Sequence, residues 1–273
     1  MLHYLIPNRG CECLLKEEKF NLLSKSQNSW RLPTLAEHQL IFSDQKSGSA
    51  QSWSAEASIG IFRIPDMTLK IFQKYLPLSL SSPQIYPQEY ADLLQFYTIE
   101  NLLPILKEAI AEWPMNVSSL ELLRVHTAPP GMQTITLESP DPERCLLVGM
   151  HMDSIDALPL RSRYKARSRL CINIGSETRH LLYINQTIEK LFAYLPVHET
   201  KQIAKYYRGQ EVGYEFMKRN PYYPVIRLAL APGECYIAPT DNLLHDASTV
   251  NKSYVDISLH SVGHFQVDKS AIW

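Results

Sequence analysis

Leu228-Ala229-Leu230-Ala231-Pro232-Gly233-Glu234-Cys235-Tyr236-Ile237-Ala238-Pro239-Thr240 reads as a strand, a Pro-Gly turn, a second short strand and a proline stop, with His245 close behind. Such a unit delivers a histidine at the end of a strand-turn-strand segment. Upstream, the apolar run Leu146-Leu147-Val148-Gly149-Met150 leads into His151-Met152-Asp153. In an extended backbone the side chains at i and i+2 leave the same face, so the His151 imidazole and the Asp153 carboxylate converge. With His245 they make two imidazoles and one carboxylate, the facial donor set that suits non-haem Fe(II) and leaves positions open on it. A plainer reading makes His151 a hydrogen-bonded core histidine and Asp153 a turn residue heading the Ser154-Ile155-Asp156 loop.

The flanking pattern places both motifs in a β-rich region. Leu120–His126, Gln133–Leu137 and Cys145–Met152 read as short strands separated by the turns Ala128-Pro129-Pro130-Gly131 and Ser139-Pro140-Asp141-Pro142. Arg169–Ile174 and His180–Asn185 flank Gly175-Ser176-Glu177-Thr178, which has the form of a hairpin turn. Gln186–Tyr194 and Glu199–Arg219 have helical spacing, and Val225–Leu230, Glu234–Ile237 and Tyr254–His260 restore the strand pattern. Ahead of all this come a short helix near Leu14–Leu23, a polar loop over Ser43–Ser54, a helix opening at Pro65-Asp66 and, over Gln88–Glu112, two helices or one kinked at Pro104. Helices first and then many strands argue an α+β chain on an antiparallel barrel or sandwich. Two parts are expected, packed as one integrated domain: an N-terminal extension over 1–117 whose helices pack on the barrel, and a strand-rich core over 118–273 with a helical insertion at about 186–220.

The order of the two motifs resembles the double-stranded β-helix, or jelly-roll, of the Fe(II)- and 2-oxoglutarate-dependent oxygenases. In that superfamily a Pro-Gly-Glu or Pro-Gly-Asp turn precedes the distal histidine. The match spans about residues 120–262. It implies Fe(II) held by His151, Asp153 and His245, with 2-oxoglutarate and O2 as cosubstrates and hydroxylation of an unactivated C–H bond as the default outcome. Many members carry an anchoring arginine soon after the distal histidine, but no arginine follows His245 here. Cys171 to Tyr183 resembles instead the jumonji and asparaginyl-hydroxylase branch, whose anchoring cation lies on the strands after His-x-Asp. That makes Arg179 the first candidate for the 2-oxoglutarate anchor, Arg169 the second and Arg227 the third. His260 and His264, near the last strand, are read as packed or surface residues more readily than as ligands, and Asp246 as an imidazole-orienting partner or a turn cap.

Composition excludes some partners. The formal net charge is −1, so no global field favours nucleic acid or an anionic membrane. The single dense basic run, Arg161-Ser162-Arg163-Tyr164-Lys165-Ala166-Arg167-Ser168-Arg169, reads as a solvated loop or, alternatively, as a site for phosphate, RNA or an acidic peptide. The first residues lack a signal-peptide pattern and no apolar run reaches bilayer length, which reads as a soluble cytoplasmic protein with no membrane partner. Five cysteines, an odd number without zinc-type pairing, read as reduced thiols. The expected substrate is an amino acid, a peptide or another small metabolite. The stretch over 186–220, with Tyr194, Tyr206, Tyr207 and Tyr214, is either a lid over the barrel mouth or a helix packed on the sheet. The competing functions are a cupin-like metal dioxygenase or isomerase that does not use 2-oxoglutarate, and a non-catalytic β-barrel binding module. The oligomeric state is not readable.

Overall fold

A computed structural model describes residues 3–4, 11–16, 30–31, 59–74, 99–111, 113, 115–136, 149–196, 209–220 and 225–267. In chain order the elements are β1 (His3–Tyr4), β2 (Cys11–Lys16), β3 (Trp30–Arg31), β4 (Gly60–Arg63), α1 (Asp66–Lys74), α2 (Ile99–Ala111) and β5 (Met115–Ala128). They continue with β6 (Ser168–Asn173), β7 (Arg179–Thr187), α3 (Ile188–Leu191), α4 (Gly209–Arg219), β8 (Val225–Leu230), β9 (Glu234–Ala238), β10 (Leu243–Ser248) and β11 (Asp256–Val267). The strands form two antiparallel sheets, one ordered β1-β4-β9-β6-β11-β5 and the other β10-β7-β8-β2-β3. The arrangement is β-rich and jelly-roll-like, with few helices.

Alternation along the strands divides three apolar clusters between two outer faces and one interior. On the outer face of the first sheet, Leu170, Ile172, Cys235, Ile237 and Leu259 pack with Phe62, Phe72, Leu102, Leu106 and Trp113 under α1 and α2. On the outer face of the second, Leu182, Ile184 and Leu244 pack with Val212, Phe216 and Met217 of α4. Between the sheets lie Cys171, Leu181, Tyr183, Ile226, Leu228, Leu230 and Tyr236. A sheet covered on one side by helices can turn polar groups into the interior without exposing its apolar face.

Several expectations need correction. Gly175-Ser176-Glu177-Thr178 does not close a hairpin, because β6 pairs with β9 and β11 whereas β7 pairs with β8 and β10. The turn carries the chain from one sheet to the other. Leu14–Lys16 of the expected N-terminal helix belong to β2, which pairs with β8, and the rest of that helix lies outside the described residues. The N-terminal part is thus not only helical, since β1 and β4 extend the first sheet and β2 and β3 the second. Gln133–Thr136 are not a strand, and only residues 149–152 of the expected Cys145–Met152 strand are described, as a bend and an isolated bridge at His151. In the insertion, Gln186 and Thr187 still belong to β7. The Ser43–Ser54 loop and the 88–98 and 199–208 parts of the expected helices lie outside the described residues. Pro104 sits inside α2.

The basic run is only partly a solvated loop: Arg161 and Lys165 are exposed, whereas Arg163, Arg167 and Arg169 are held by the protein. Residues 160–165 form a 3-10 helix, Arg163 and Arg169 are buried, and Arg167 pairs with Asp156 at 2.8 Å and Glu121 at 2.7 Å. Lys252 is buried with its Nζ on Asp256.

Phe62 is almost fully buried and stacks on Trp113 with ring centroids 4.9 Å apart. Phe62→Ala is expected to lower unfolding stability by about 3–5 kcal/mol in a urea titration, the usual cost of emptying an aromatic core site.

Candidate metal centre

Met150 and Met152 bury themselves in the cluster beneath α4, and that alternation turns His151 and Asp153 to the opposite side. A two-bond backbone bridge then ties His151 to His245 on β10: His151 N donates to His245 O at 3.0 Å and His245 N donates to His151 O at 2.8 Å. The two rings sit 4.7 Å apart. The pairing of β10 with β7 shifts register between Leu243 and His245, an irregularity of the kind that re-aims a side chain at a site. His151 Nε2 lies 3.8 Å from Asp153 Oδ1 and His245 Nε2 lies 3.6 Å from Asp153 Oδ2. The three potential ligand atoms fall within 4.8 Å of one another.

The imidazole tautomers follow from their partners. His151 Nδ1 is 2.8 Å from Gly149 O and His245 Nδ1 is 3.1 Å from Leu243 O. A carbonyl oxygen only accepts, so each Nδ1 carries the proton and each Nε2 presents a lone pair toward Asp153. Metal-ligating histidines are commonly oriented in this way. The donor set fits a divalent ion of the iron type, with two neutral nitrogens and one anionic oxygen.

Asp153 is held by its backbone as well as by charge. Its N donates to Thr240 O at 3.0 Å, and the buried Arg163 donates from Nη1 to Asp153 O at 2.6 Å and to Asp241 O at 3.1 Å. Arg163 therefore clamps the His-x-Asp segment to the loop before β10. Burial pushes the Asp153 carboxyl up, but the Arg169 guanidinium, foremost among its neighbours, holds the group well below the ordinary range. Burial likewise lowers His245 to about 3, against the pull of Asp153.

The expected anchor candidates separate clearly. Arg169 lies 2.6 Å from Asp153 Oδ2 through Nη2. Arg179 is buried among the interior residues, with Nε 3.2 Å from Asp256 Oδ2 and Nη1 on Cys171 Sγ. Asp256 also takes Lys252 Nζ at 3.0 Å, so two cations share one carboxylate. Arg227 alternates with the interior residues Ile226 and Leu228 and so leaves the opposite face. Asp246 does not orient an imidazole: it accepts from Thr136 Oγ1 at 2.8 Å and from Ala247 N at 2.7 Å, and burial raises it to about 6. His260 is buried and His264 exposed.

Sequence reasoning did not single out His126, which stacks on His260, Cys171 and Asp256, which meet Arg179, or Tyr236, which lies between the sheets. Parity on β6 and β9 could have found Cys171 and Tyr236, since each is two residues from an inward-facing neighbour. No sequence signal marks His126, because the β5–β11 register shifts between His260 and Ser261 and resets which β5 residues face inward.

No family model and no curated protein matches the chain. Among solved structures, the apo form of the Kdo hydroxylase KdoO, a non-haem Fe(II) alpha-ketoglutarate dependent dioxygenase, is similar at 12% identity and TM-score 0.40, over 92% of this chain and 88% of that one. KdoO in complex with alpha-ketoglutarate and Fe(III) gives 13% and 0.43 over 92% and 88%, and its complex with cobalt(II) gives 14% and 0.43 over 92% and 86%.

Burial lowers His126 to about 3, and lowers His260 well below its ordinary value. With His245 these imidazoles stay neutral in the fold at pH values where the unfolded chain, with histidines near 6.5, takes up protons. Their stability contribution is complete above about pH 6.5 and is lost as pH falls toward 3, while Asp246 and Asp241, both raised by burial, oppose it in part. The metal-free protein is expected to lose stability from about pH 6 to 4. His126→Gln should reduce that slope by up to one proton, about 1.4 kcal/mol per pH unit, measured by denaturant titration at several pH values.

Proposed function

We propose that this protein is a non-haem Fe(II)- and 2-oxoglutarate-dependent oxygenase built on a double-stranded β-helix core, with helical elements before and within it, hydroxylating a C–H bond of a small molecule or peptide. The observation that carries the reading is the pair of imidazoles with Nδ1 tied to main-chain carbonyls and Nε2 turned toward one buried carboxylate. His151, Asp153 and His245 would hold the ion. Fe(II) bound there would supply the oxidising chemistry, with O2 as oxidant, 2-oxoglutarate leaving as succinate and CO2, and an oxygen atom passing to the substrate.

The remaining roles belong to the chain's own side chains. Arg179 is the cosubstrate anchor we favour. A dicarboxylate entering a dry interior needs a fixed cation, and the Asp256 carboxylate, shared between Arg179 and Lys252, neutralises only one of the two. Tyr236, also interior, lies within the electrostatic reach of both Arg169 and Arg179, where its hydroxyl could accept or donate to a carboxylate. A second buried arginine, Arg179, among the interior residues favours this reading over a cupin-like enzyme without 2-oxoglutarate, for which an apolar pocket would suffice. The same buried charge argues against a binding module with a structural His-Asp cluster, since it exceeds what packing requires. The described part of the insertion supports a helix packed on the sheet rather than a lid: Val212 and Phe216 are buried and Tyr194 meets Phe216 edge-on.

Aerobic incubation with Fe(II), ascorbate and 2-oxoglutarate is expected to release succinate in a slow turnover that needs no added substrate. His245→Ala should lower it by roughly 100-fold or more. Arg179→Lys keeps the charge but loses the fork, and should raise the half-saturating 2-oxoglutarate concentration by about 10-fold. Succinate release that is absent, or indifferent to both changes, refutes the reading.

A further inference from the structure

Arg169 touches the candidate metal ligand on one side and a buried histidine on the other. Its Nη2 lies 2.6 Å from Asp153 Oδ2, and its Nη1 lies 2.8 Å from His260 Nδ1. His260 Nε2 is in turn 2.9 Å from Ser258 Oγ. All three of Arg169, His260 and Ser258 are buried.

Direction along this chain of contacts follows from donor chemistry. A guanidinium only donates, so His260 Nδ1 accepts, and the imidazole proton sits on Nε2 and is given to Ser258 Oγ. This is the reverse of His151 and His245, whose protons sit on Nδ1. His126 stacks on His260 with centroids 5.3 Å apart and an interplanar angle of 19°, which limits rotation of the ring. Burial keeps the His260 imidazole neutral and therefore able to accept.

Resting on the oxygenase reading above, we propose that Arg169, aimed by His260 and Ser258, is a positioning residue that occupies Asp153 Oδ2 and leaves one carboxylate oxygen to the metal. A carboxylate with both oxygens free can chelate a cation and fill an additional coordination position. One oxygen engaged by Arg169 keeps that position available to the keto acid or to O2. The consequence for the anchor is direct. Arg169 is committed to Asp153 and His260, which leaves the cosubstrate's far carboxylate to Arg179, whose partner Asp256 is shared with Lys252.

The guanidinium also repels a bound cation, so removing Arg169 changes metal affinity through two opposing effects. His260 offers a cleaner handle, because replacing it releases Arg169 without removing its charge. Asparagine places an acceptor oxygen close to where Nδ1 stood, whereas glutamine places its amide nearer the Nε2 position.

The test uses the full chain and Co(II) alone, read by visible d–d absorption and by titration, with circular dichroism confirming that each variant is folded. His260→Gln is expected to weaken Co(II) binding roughly 10-fold and to change the d–d band intensities, the scale usual for loss of a ligand-orienting partner. His260→Asn is expected to restore wild-type bands and affinity to within about two-fold. Should His260→Gln fail to fold, Arg169→Lys, which keeps the charge but cannot span both partners, should show the same band change. Wild-type behaviour in the Gln variant, or an Asn variant no better than Gln, overturns the proposal while leaving the metal centre standing. A wild-type chain that binds no Co(II) overturns both.

Discussion

A carboxylate in a dry interior is stable only when positive charge or hydrogen-bond donors surround it, because the desolvation of an unpaired ion costs several kcal/mol. Asp153 is such a group, and much of the inner architecture answers its charge. Arg169 touches its carboxylate, the two imidazoles face it, and Arg163 fixes its main chain to the loop that leads into β10. A divalent ion would complete this environment, since the two Nε2 lone pairs facing the carboxylate have no proton to offer it.

The fold makes this possible by separating its apolar and polar work. Helices cover the outer face of each sheet, so the strands gain stability from their outward residues and are free to point arginine, histidine and aspartate inward. His151 and Asp153 depend on Met150 and Met152 for their direction, as the methionines insert under α4 and leave the alternate residues no other side. His245 arrives from a separate strand, and two backbone hydrogen bonds to His151 join the halves of the site. A loss of packing beneath α4 would therefore reach the centre through the backbone.

Much of the site was legible in the sequence. Two-residue alternation within an apolar run was enough to pair His151 with Asp153, and the Pro-Gly turn followed by a short strand was enough to point to His245. The sheet assignment was harder, because a short Gly-bearing turn between two strands reads the same whether it closes a hairpin or carries the chain to the facing sheet, as it does at Gly175–Thr178. The basic run misled for a related reason. Counting Arg163, Arg167 and Arg169 along the chain describes a charge density, whereas their fates depend on which face each leaves and on acidic partners such as Asp156, Glu121 and Asp153. His126 was hidden by the register shift in β5–β11 pairing. The helical spacing at Leu14–Lys16 yielded to pairing with β8, as tertiary context commonly overrides local propensity.

The most direct measurement of the central claim is an anaerobic titration of the purified chain with Fe(II) and 2-oxoglutarate, followed by visible absorption. Chelation of the keto acid to an ion held by His151, Asp153 and His245 predicts a weak charge-transfer band that saturates at one iron per chain and disappears in His151→Ala. A wild-type chain without the band, or a band that survives His151→Ala, would contradict the account.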